Sequence, residues 1–335
     1  MSEFRAEFLA DIDEMIMSSK LKIFNTIRKE LKQFETLFDS YLGSLEFSDY
    51  LKNTKGKMLR PALTIIAGNI AGEVSEKTYW SAIAVEMMHN ATLVHDDIVD
   101  DANQRRERAT FRATHGDRRA VLYGDYLFAK SLECVVKTND FRIIQAIANT
   151  TGEMSVGEIK QLEESGGLST AEKDYYDIIY KKTASLFVCS LMVGHYSTTK
   201  DVQWDATVER IGYNLGMAFQ IKDDLLDYDS KSKSGKAYGN DIQEKKMTLP
   251  LIYALQQVGE ERALEIKKMI NLSIIPKEDV LAVIDFANEH GGITYTEVVL
   301  NKFLTKAQED IDSLPSSISK DSLSFLVTYL AERKK

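Results

Sequence analysis

Apolar residues recur at intervals of three and four positions along most of the chain, with polar residues between them. The segment WSAIAVEMMHNATLVHDDIVDDA, residues 80–102, has this spacing, which is typical of a long α-helix with one buried face. Residues 62–249 contain no proline, so long helices can run uninterrupted through the middle of the chain. No segment alternates between apolar and polar residues in the manner of a strand bounded by turns. The pattern therefore predicts an all-α fold.

No shift of composition, low-complexity tract or repeat of fixed period divides the sequence. The predicted loops are short and polar, as in EESGGLST at residues 163–170. We therefore predict a single domain over residues 1–335, a bundle of roughly a dozen helices.

Composition narrows the setting of this fold. A hydrophobic content of 44% is enough for a sizeable core, and the formal net charge of -9 argues against a general nucleic-acid surface. Cys134 and Cys189 lie in apolar stretches, which predicts buried free thiols in a reducing compartment. The N-terminal residues carry acids throughout, and no run of eighteen uncharged apolar residues occurs. We expect a cytoplasmic protein without a membrane span.

An acidic motif, LVHDDIVDDA at residues 93–102, ends the long helical segment. Like charges three and four positions apart on a helix repel each other, so the motif is either a solvated surface turn or a cation site. A second copy of the DDxxD spacing occurs in FQIKDDLLDYD, residues 219–229, again after an apolar helical segment. If the two helices face one another, their carboxylates could share magnesium ions, which prefer oxygen ligands. The repeat favours the metal site over the surface turn.

Four basic groups are interleaved with these acids. They are Lys57 with Arg60 in GKMLRP, Arg105 with Arg106 in NQRRERAT, Lys182 before Thr183 in YKKTASLF, and Lys236 with Lys246 in SGKAYGNDIQEKKMTLP. Each group taken singly is typical of a solvated surface. Together with two acid motifs, they predict a cavity for more than one phosphorylated ligand, because acids bind one phosphate group through metal while bases bind another directly.

The order of these motifs resembles that of the trans-polyprenyl diphosphate synthases. The resemblance runs from about residue 56 to 250 and includes GKMLRP, HNATLVHDDIVDDANQRR, Gly124 with Asp125, GEIKQ, KTASLF, FQIKDDLLD and GKAYGNDIQEKKMTLP. Two positions depart from the family pattern, since Glu107 and Lys245 stand where glycine is usual. The resemblance implies an isoprenoid synthase-type bundle around a central cavity. It also implies a prenyltransferase that condenses isopentenyl diphosphate with an allylic diphosphate such as farnesyl or geranylgeranyl diphosphate.

The same resemblance implies a metal site with about three magnesium ions. Three acids would bind the metal directly: Asp96, Asp100 and Asp223. Three others would support them: Asp97, Asp224 and Asp227. Asp101 has no assigned role.

The remaining site residues follow from the family motifs. Four cations would hold the allylic diphosphate as it leaves: Arg105, Lys182, Lys236 and Lys246. Four residues would bind the diphosphate of isopentenyl diphosphate: Lys57, Arg60, His89 and Arg106. Thr183 and Gln220 would line the path of the allylic cation, and the released pyrophosphate would take the final proton. We further expect a homodimer and, at most, transient membrane contact during product release.

Product length depends on the residues upstream of Asp96. Five of them, at steps of about one helical turn, would line the tunnel for the growing tail: Ala91, Thr92, Met88, Val85 and Ala84. One turn rises about 5.4 Å, close to the length of one isoprene unit. Because Ala91 and Thr92 leave the tunnel open and the next aromatic residue is Trp80, we predict a medium- to long-chain product. A short-chain product is the alternative, since Phe128 or Leu132 could close the tunnel earlier.

Three other functions remain as alternatives. The doublet of His95 and Asp96 is typical of metal-dependent phosphohydrolases, but His89 is the only histidine before it. A terpene cyclase shares the fold and the first acid motif, yet usually lacks a second DDxxD motif and a second diphosphate site. A catalytically silent subunit of a synthase heteromer would tend to have lost the acids, whereas this chain retains all six.

Overall fold

The computed structural model describes residues 21–54, 56, 58–105, 108–165, 171–229 and 239–333. These residues are almost entirely helical, which confirms the predicted all-α fold. The α-helices in the first half are α1 (Leu21–Gly43), α2 (Ser48–Thr54), α3 (Leu59–Ala71), α4 (Glu76–Val99), α5 (Phe111–His115), α6 (Asp117–Lys137) and α7 (Phe141–Ser165). Those that follow are α8 (Glu172–Ile179), α9 (Ser185–Thr198), α10 (Asp205–Asp227), α11 (Asn240–Gln243), α12 (Leu249–Gln256), α13 (Glu260–Ile270), α14 (Lys277–Glu289), α15 (Gly292–Ser313) and α16 (Ile318–Glu332).

Three elements were not predicted from the hydrophobic pattern. Strands β1 (Gln104–Arg105) and β2 (Arg108–Ala109) form an antiparallel pair, and Tyr180–Ala184 forms a π-helical turn between α8 and α9. Strands of two residues are too short to show an alternating pattern. The structure also contains more helices than the predicted dozen, because it includes short helices such as α5 and α11.

The described residues fall into two compact units. The first comprises those up to Ala148, together with Cys189–Glu209 and Ile311–Phe325. Its interior is built around α4 and α6, and the Ser131 hydroxyl on α6 donates a hydrogen bond to the Ala84 carbonyl at 2.7 Å. Its largest fully buried side chains include Phe34, Leu63, Ile65, Ile83, Met87 and Leu127. This unit carries the first acid motif.

The second unit comprises the described residues of Asn149–Val188 and Arg210–Asp310, with those from Leu326 onward. One of its buried clusters joins α11, α12, α13 and α14 and includes Ile242, Leu251, Ile266, Val283 and Phe286. This unit carries the second acid motif. The single domain over residues 1–335 stays a prediction.

Cys134 and Cys189 are both buried, and neither forms a disulfide, as predicted. No helix in the described part of the chain is long and apolar enough to cross a membrane.

Candidate active site

The first acid motif lies at the C-terminal end of α4. That helix starts at a capping box between Ser75 and Thr78 and ends at Asp100, whose backbone N–H donates to the Asp96 carbonyl. Asp101 then adopts a left-handed conformation with φ of 50°, which turns the chain away from the helix axis. Its carboxylate pairs with Arg112 at 3.0 Å. Asp101 therefore has a structural role in ending the helix.

Within this motif, Asp97 is buried and held by a cation. Arg105, the last residue of β1, donates from Nε to Asp97 Oδ1 at 2.7 Å. Asp97 Oδ2 is buried and has no hydrogen-bond partner in the described part of the chain. Burial raises the pKa of Asp97, although Arg105 opposes the rise. In the structure Arg105 contacts Asp97. The binding of Arg105 to the allylic diphosphate stays a prediction.

Two of the residues predicted to bind isopentenyl diphosphate lie together in the first unit. Arg60, at the start of α3, places Nη1 3.1 Å from Nε2 of His89 on α4. A guanidinium can only donate, so His89 accepts through Nε2 and its tautomer is the one protonated on Nδ1. Lys57 and Arg106, predicted for the same diphosphate, lie outside the described residues.

His95, one residue before Asp96, has partners within the protein. Its Nε2 lies 3.1 Å from the Val121 carbonyl oxygen and 3.6 Å from Asp125 Oδ1. The ring packs directly on Gly124, where a Cβ would lie 2.1 Å from His95 Nε2. The Gly-Asp pair of the sequence motif thus makes room for His95 and contacts it.

The second acid motif ends α10 and belongs to a buried hydrogen-bond network. Tyr175 donates to Asp224 Oδ2 at 2.6 Å, and Gln220 Nε2 donates to Asp224 Oδ1 at 2.9 Å. Thr183 donates to Gln220 Oε1 at 2.8 Å and so fixes the amide orientation. The structure therefore brings together Thr183, Gln220 and Asp224, all predicted from the sequence, and adds Tyr175, which was not.

Asp224 differs from an ordinary carboxyl group because of this environment. Burial raises its pKa to about 8, and the negative charge of Asp241 adds to the rise, whereas the bonds from Tyr175 and Gln220 oppose it. Asp227, also buried, accepts from the backbone N–H groups of Asn240 and Asp241, each at 3.0 Å. Asp227 therefore ties the end of α10 to the start of α11.

Asp223 is partly exposed and meets a cation from the end of the described chain. Arg333 Nη2 lies 2.7 Å from Asp223 Oδ1, and the Arg333 guanidinium stacks 4.6 Å from the centroid of the Phe219 ring. Nothing in the sequence pattern predicted this partner, because Arg333 lies far from the recognised motifs.

The predicted lysines have acidic partners of their own. Lys182 Nζ lies 2.6 Å from Glu158 Oε2 in the segment GEIKQ, and Lys246 pairs with Glu244. Lys245, which stands where the family usually has glycine, adopts a left-handed conformation with φ of 57°. Glycine adopts this conformation freely, so Lys245 keeps the backbone geometry of a glycine but is strained by its Cβ. Lys236 lies outside the described residues.

The six acids divide in the same way as their predicted roles. The three expected to support the metal site are buried: Asp97, Asp224 and Asp227. The three expected to bind metal directly are partly exposed: Asp96, Asp100 and Asp223. No three carboxylate, imidazole or thiol groups of the described residues form a ready-made cation site. The acids fit magnesium nevertheless, because this ion uses one or two carboxylates and completes its shell with water and substrate phosphate.

The predicted tunnel residues lie on α4. Ala84, Val85, Met88 and Ala91 are fully buried in the structure, and Thr92 is partly buried. Leu132 is 51% exposed in the single chain, and its closure of the tunnel stays a prediction. Trp80 is stacked against Lys137, whose Nζ lies 3.8 Å from the ring centroid.

Comparisons with known proteins are consistent with the motif order. The sequence model of the family described as polyprenyl synthetase matches residues 44–285. Heptaprenyl diphosphate synthase component 2 of Bacillus subtilis is 31% identical over 92% of this chain and 88% of the relative. Octaprenyl diphosphate synthase of Haemophilus influenzae is 31% identical over 87% of this chain and 88% of the relative.

Solved structures show the same likeness. The polyprenyl synthase of Caulobacter crescentus, complexed with calcium and isoprenyl diphosphate, matches with a TM-score of 0.86 at 29% identity over 93% of this chain and 97% of that one. A geranylgeranyl pyrophosphate synthetase from Pyrococcus horikoshii matches with a TM-score of 0.83 at 28% identity over 93% of this chain and 98% of that one. A polyprenyl synthase and a geranylgeranyl pyrophosphate synthetase thus share this fold.

Proposed function

The chain belongs to the polyprenyl synthetase family and is a prenyltransferase, and from that premise we propose that it condenses isopentenyl diphosphate with an allylic diphosphate. The product would be a medium- to long-chain all-trans polyprenyl diphosphate. The observation that carries this proposal is that, across the two DDxxD motifs, the three acids proposed as metal ligands are partly exposed and the three supporting acids are buried. A silent subunit would have no need to keep both motifs in this arrangement.

We propose Asp96, Asp100 and Asp223 as the residues that hold magnesium. About three such ions would neutralise the allylic diphosphate and make it a good leaving group. Asp97, Asp224 and Asp227 would orient the ligands through their own buried contacts.

The basic residues act on charge that develops during the reaction. As the allylic C–O bond breaks, pyrophosphate leaves with the electron pair, and Lys182, Lys246 and Arg105 would stabilise its growing charge. Lys236, outside the described residues, is proposed for the same task. Thr183 and Gln220 would direct oxygen dipoles at the allylic cation.

Arg60 and His89 would bind the diphosphate of isopentenyl diphosphate, together with Lys57 and Arg106. The alkene electron pair then forms the new C–C bond, and a proton leaves to the pyrophosphate. This assignment gives each of the two diphosphates a separate set of partners, as chain extension requires.

Product length is the finer part of the proposal. Relatives named as heptaprenyl and octaprenyl synthases support a medium- to long-chain product, and a relative named as a geranylgeranyl synthetase supports the short-chain alternative. The small side chain of Ala91 on α4 favours the longer product because it leaves room for the tail.

The direct experiment measures product masses after incubation with magnesium, isopentenyl diphosphate and farnesyl diphosphate. We expect a series of polyprenyl diphosphates that disappears when the metal is chelated. The absence of any elongated product would contradict the proposal, and a cyclic hydrocarbon would indicate a terpene cyclase.

A substitution tests the tunnel separately. Ala91→Phe places an aromatic ring on the proposed path, so we expect shorter products with turnover retained. Unchanged product masses would mean that Ala91 does not line the tunnel.

We further propose a homodimer in the cytoplasm. Three exposed apolar residues of α6 lie on one face of the helix: Leu122, Leu132 and Val136. They form an apolar stripe against which a partner helix could pack. Because one relative is named as component 2 of a synthase, a second protein is the alternative partner. Light scattering of the purified chain should give the mass of two copies, whereas a monomer that gains activity with another protein would support the alternative.

A further inference from the structure

The segment GEIKQ, residues 157–161, has no role in the proposed reaction. It lies on α7 against the π-helical turn Tyr180–Ala184. A Cβ at Gly157 would lie 2.8 Å from both the backbone nitrogen of Lys182 and Cβ of Lys181. Only glycine allows the backbone of α7 to approach the turn this closely.

The next residue, Glu158, uses this closeness to reach Lys182. Its Oε2 lies 2.6 Å from Lys182 Nζ, and the two side chains are only 16% and 24% exposed. The other oxygen, Oε1, is buried and has no hydrogen-bond partner among the residues that the structure describes. A partly buried carboxylate is costly unless it is paired, and Lys182 compensates the charge of Glu158.

The π-helical turn gives its two consecutive lysines different partners. Lys181 pairs with Asp177, four residues earlier on the same segment, and Asp177 also pairs with Lys160. Lys182 instead pairs across to α7 through Glu158. Such turns insert one extra residue into a helix and occur often at functional sites. Here the turn directs Lys182, and not its neighbour, toward the buried acid.

We infer that Glu158 is a positioning residue that fixes the Lys182 ammonium group for the departing pyrophosphate. An ammonium group has three N–H donors, so Glu158 can hold one while the others stay available to phosphate oxygens. A donor fixed in advance need not reorient as charge develops in the transition state. Glu158 acts through Lys182 and touches no substrate, and the inference rests on the role proposed above for Lys182.

A kinetic double-mutant cycle on the full chain tests this inference. Glu158→Gln should lower kcat by about 10²-fold, the loss expected from a misplaced catalytic group, and leave the KM for isopentenyl diphosphate unchanged. In a Lys182→Ala background, Glu158→Gln should lower kcat no further. An equal loss in both backgrounds, or no loss in the first, would overturn the inference.

Asp177→Asn supplies a matched control, because it removes the acid partner of the adjacent lysine, Lys181. Its kcat should stay within about twofold of the original, as expected for a pair outside the site. A loss as large as that of Glu158→Gln would show that any ion pair at this turn matters, and would count against a specific role for Glu158.

Urea unfolding gives a readout that does not need activity. Lys182→Ala leaves the partly buried Glu158 carboxylate without its cation, so the unfolding midpoint should fall, and adding Glu158→Gln should restore it. If the two substitutions have non-additive effects on the unfolding midpoint but the chain makes no elongated product, the Glu158–Lys182 ion pair is supported and the proposed function is refuted. If the chain turns over substrate but the two substitutions have additive effects on both kcat and the unfolding midpoint, the proposed function is supported and the positioning role of Glu158 is refuted.

Discussion

The two acid motifs have the same DDxxD spacing but different surroundings. In the first, the buried Asp97 is paired with the cation Arg105 at 2.7 Å. In the second, the buried Asp224 accepts from two neutral groups, Tyr175 and Gln220, and lies near the acid Asp241. Equal spacing therefore does not mean equal charge compensation. The buried acid of the first motif receives positive charge from the protein, whereas the buried Asp224 of the second has only neutral donors among the described residues, and the cation of that motif, Arg333, pairs with the partly exposed Asp223.

The largest expected effect is on turnover. Asp96→Ala and Asp223→Ala should each lower kcat by about 10³-fold or more, because each would remove a metal ligand. The metal-free Asp96→Ala variant should unfold at the same temperature as the original chain or higher, since a like charge is removed from its motif. Asp223→Ala also removes the partner of Arg333, so this variant should unfold at a lower temperature.

Steady-state kinetics and thermal unfolding in a chelator check this prediction. A sharp loss of metal-free stability in the Asp96→Ala variant would mean that Asp96 is structural. A large kinetic loss in one motif alone would mean that the two motifs contribute unequally to the metal site.

The second expected effect is on the pH dependence of metal-free stability. The pKa of Asp224 is raised from 3.8 to about 8 in the folded protein, so unfolding releases a proton between these values. The free energy of unfolding should therefore contain a contribution that is complete below about pH 4 and is lost as the pH rises to about 8, by at most about 1.4 kcal/mol per pH unit. Asp224→Asn should remove this slope.

Urea unfolding of the original chain and of the Asp224→Asn variant between pH 5 and 8 isolates the contribution of Asp224, because the two chains have all other titratable groups in common. Asp97→Asn should remove a smaller slope, since Arg105 opposes the rise of its pKa. Equal slopes from the two motifs would contradict the contrast between them.

A third effect concerns the partners of the two buried acids. Arg105→Ala leaves Asp97 buried without its cation and should lower the free energy of unfolding by about 3 kcal/mol, at the lower end for a buried pair because Arg105 is partly exposed. Tyr175→Phe removes a hydrogen bond between groups that are neutral at pH 7 and should cost about 1 kcal/mol.

Urea unfolding at pH 7 measures both values. The double variant Arg105→Ala with Asp97→Asn should recover most of the loss. If Tyr175→Phe cost as much as Arg105→Ala, Asp224 would be ionised at pH 7, contrary to its raised pKa.

The smallest effect concerns two backbone positions with positive φ. Lys245→Gly should raise the free energy of unfolding by about 1 kcal/mol, because lysine pays for a left-handed conformation that glycine adopts freely. Asp101→Gly should raise the free energy of unfolding by less, because aspartate tolerates the left-handed region better than lysine and the ion pair of Asp101 with Arg112 would be lost. Thermal unfolding of the two variants compares them, and a destabilised Lys245→Gly chain would contradict the prediction.

Much of the candidate site was accessible from the sequence because its signals are local. The spacing of Asp96 with Asp100 and the apolar residues before them predicted a helix end with acids on one face, and the structure has this arrangement. Tyr175 was missed because it lies 49 residues from Asp224 and belongs to no recognised motif. Glu158 was visible within GEIKQ, yet its contact with Lys182 depends on a π-helical turn that no periodic pattern indicates.

The sequence by itself determined the all-α fold and the family, because helical periodicity and motif spacing are properties of neighbouring residues. It also identified the acids of both motifs by residue type. Only the tertiary structure decided which acids of each motif are buried and what compensates their charge. Arg105 on Asp97, Arg333 on Asp223 and Tyr175 on Asp224 join different elements, so their contacts exist only once the helices have packed. Burial and charge pairing depend on that packing, which is why two motifs of identical spacing have different chemistry.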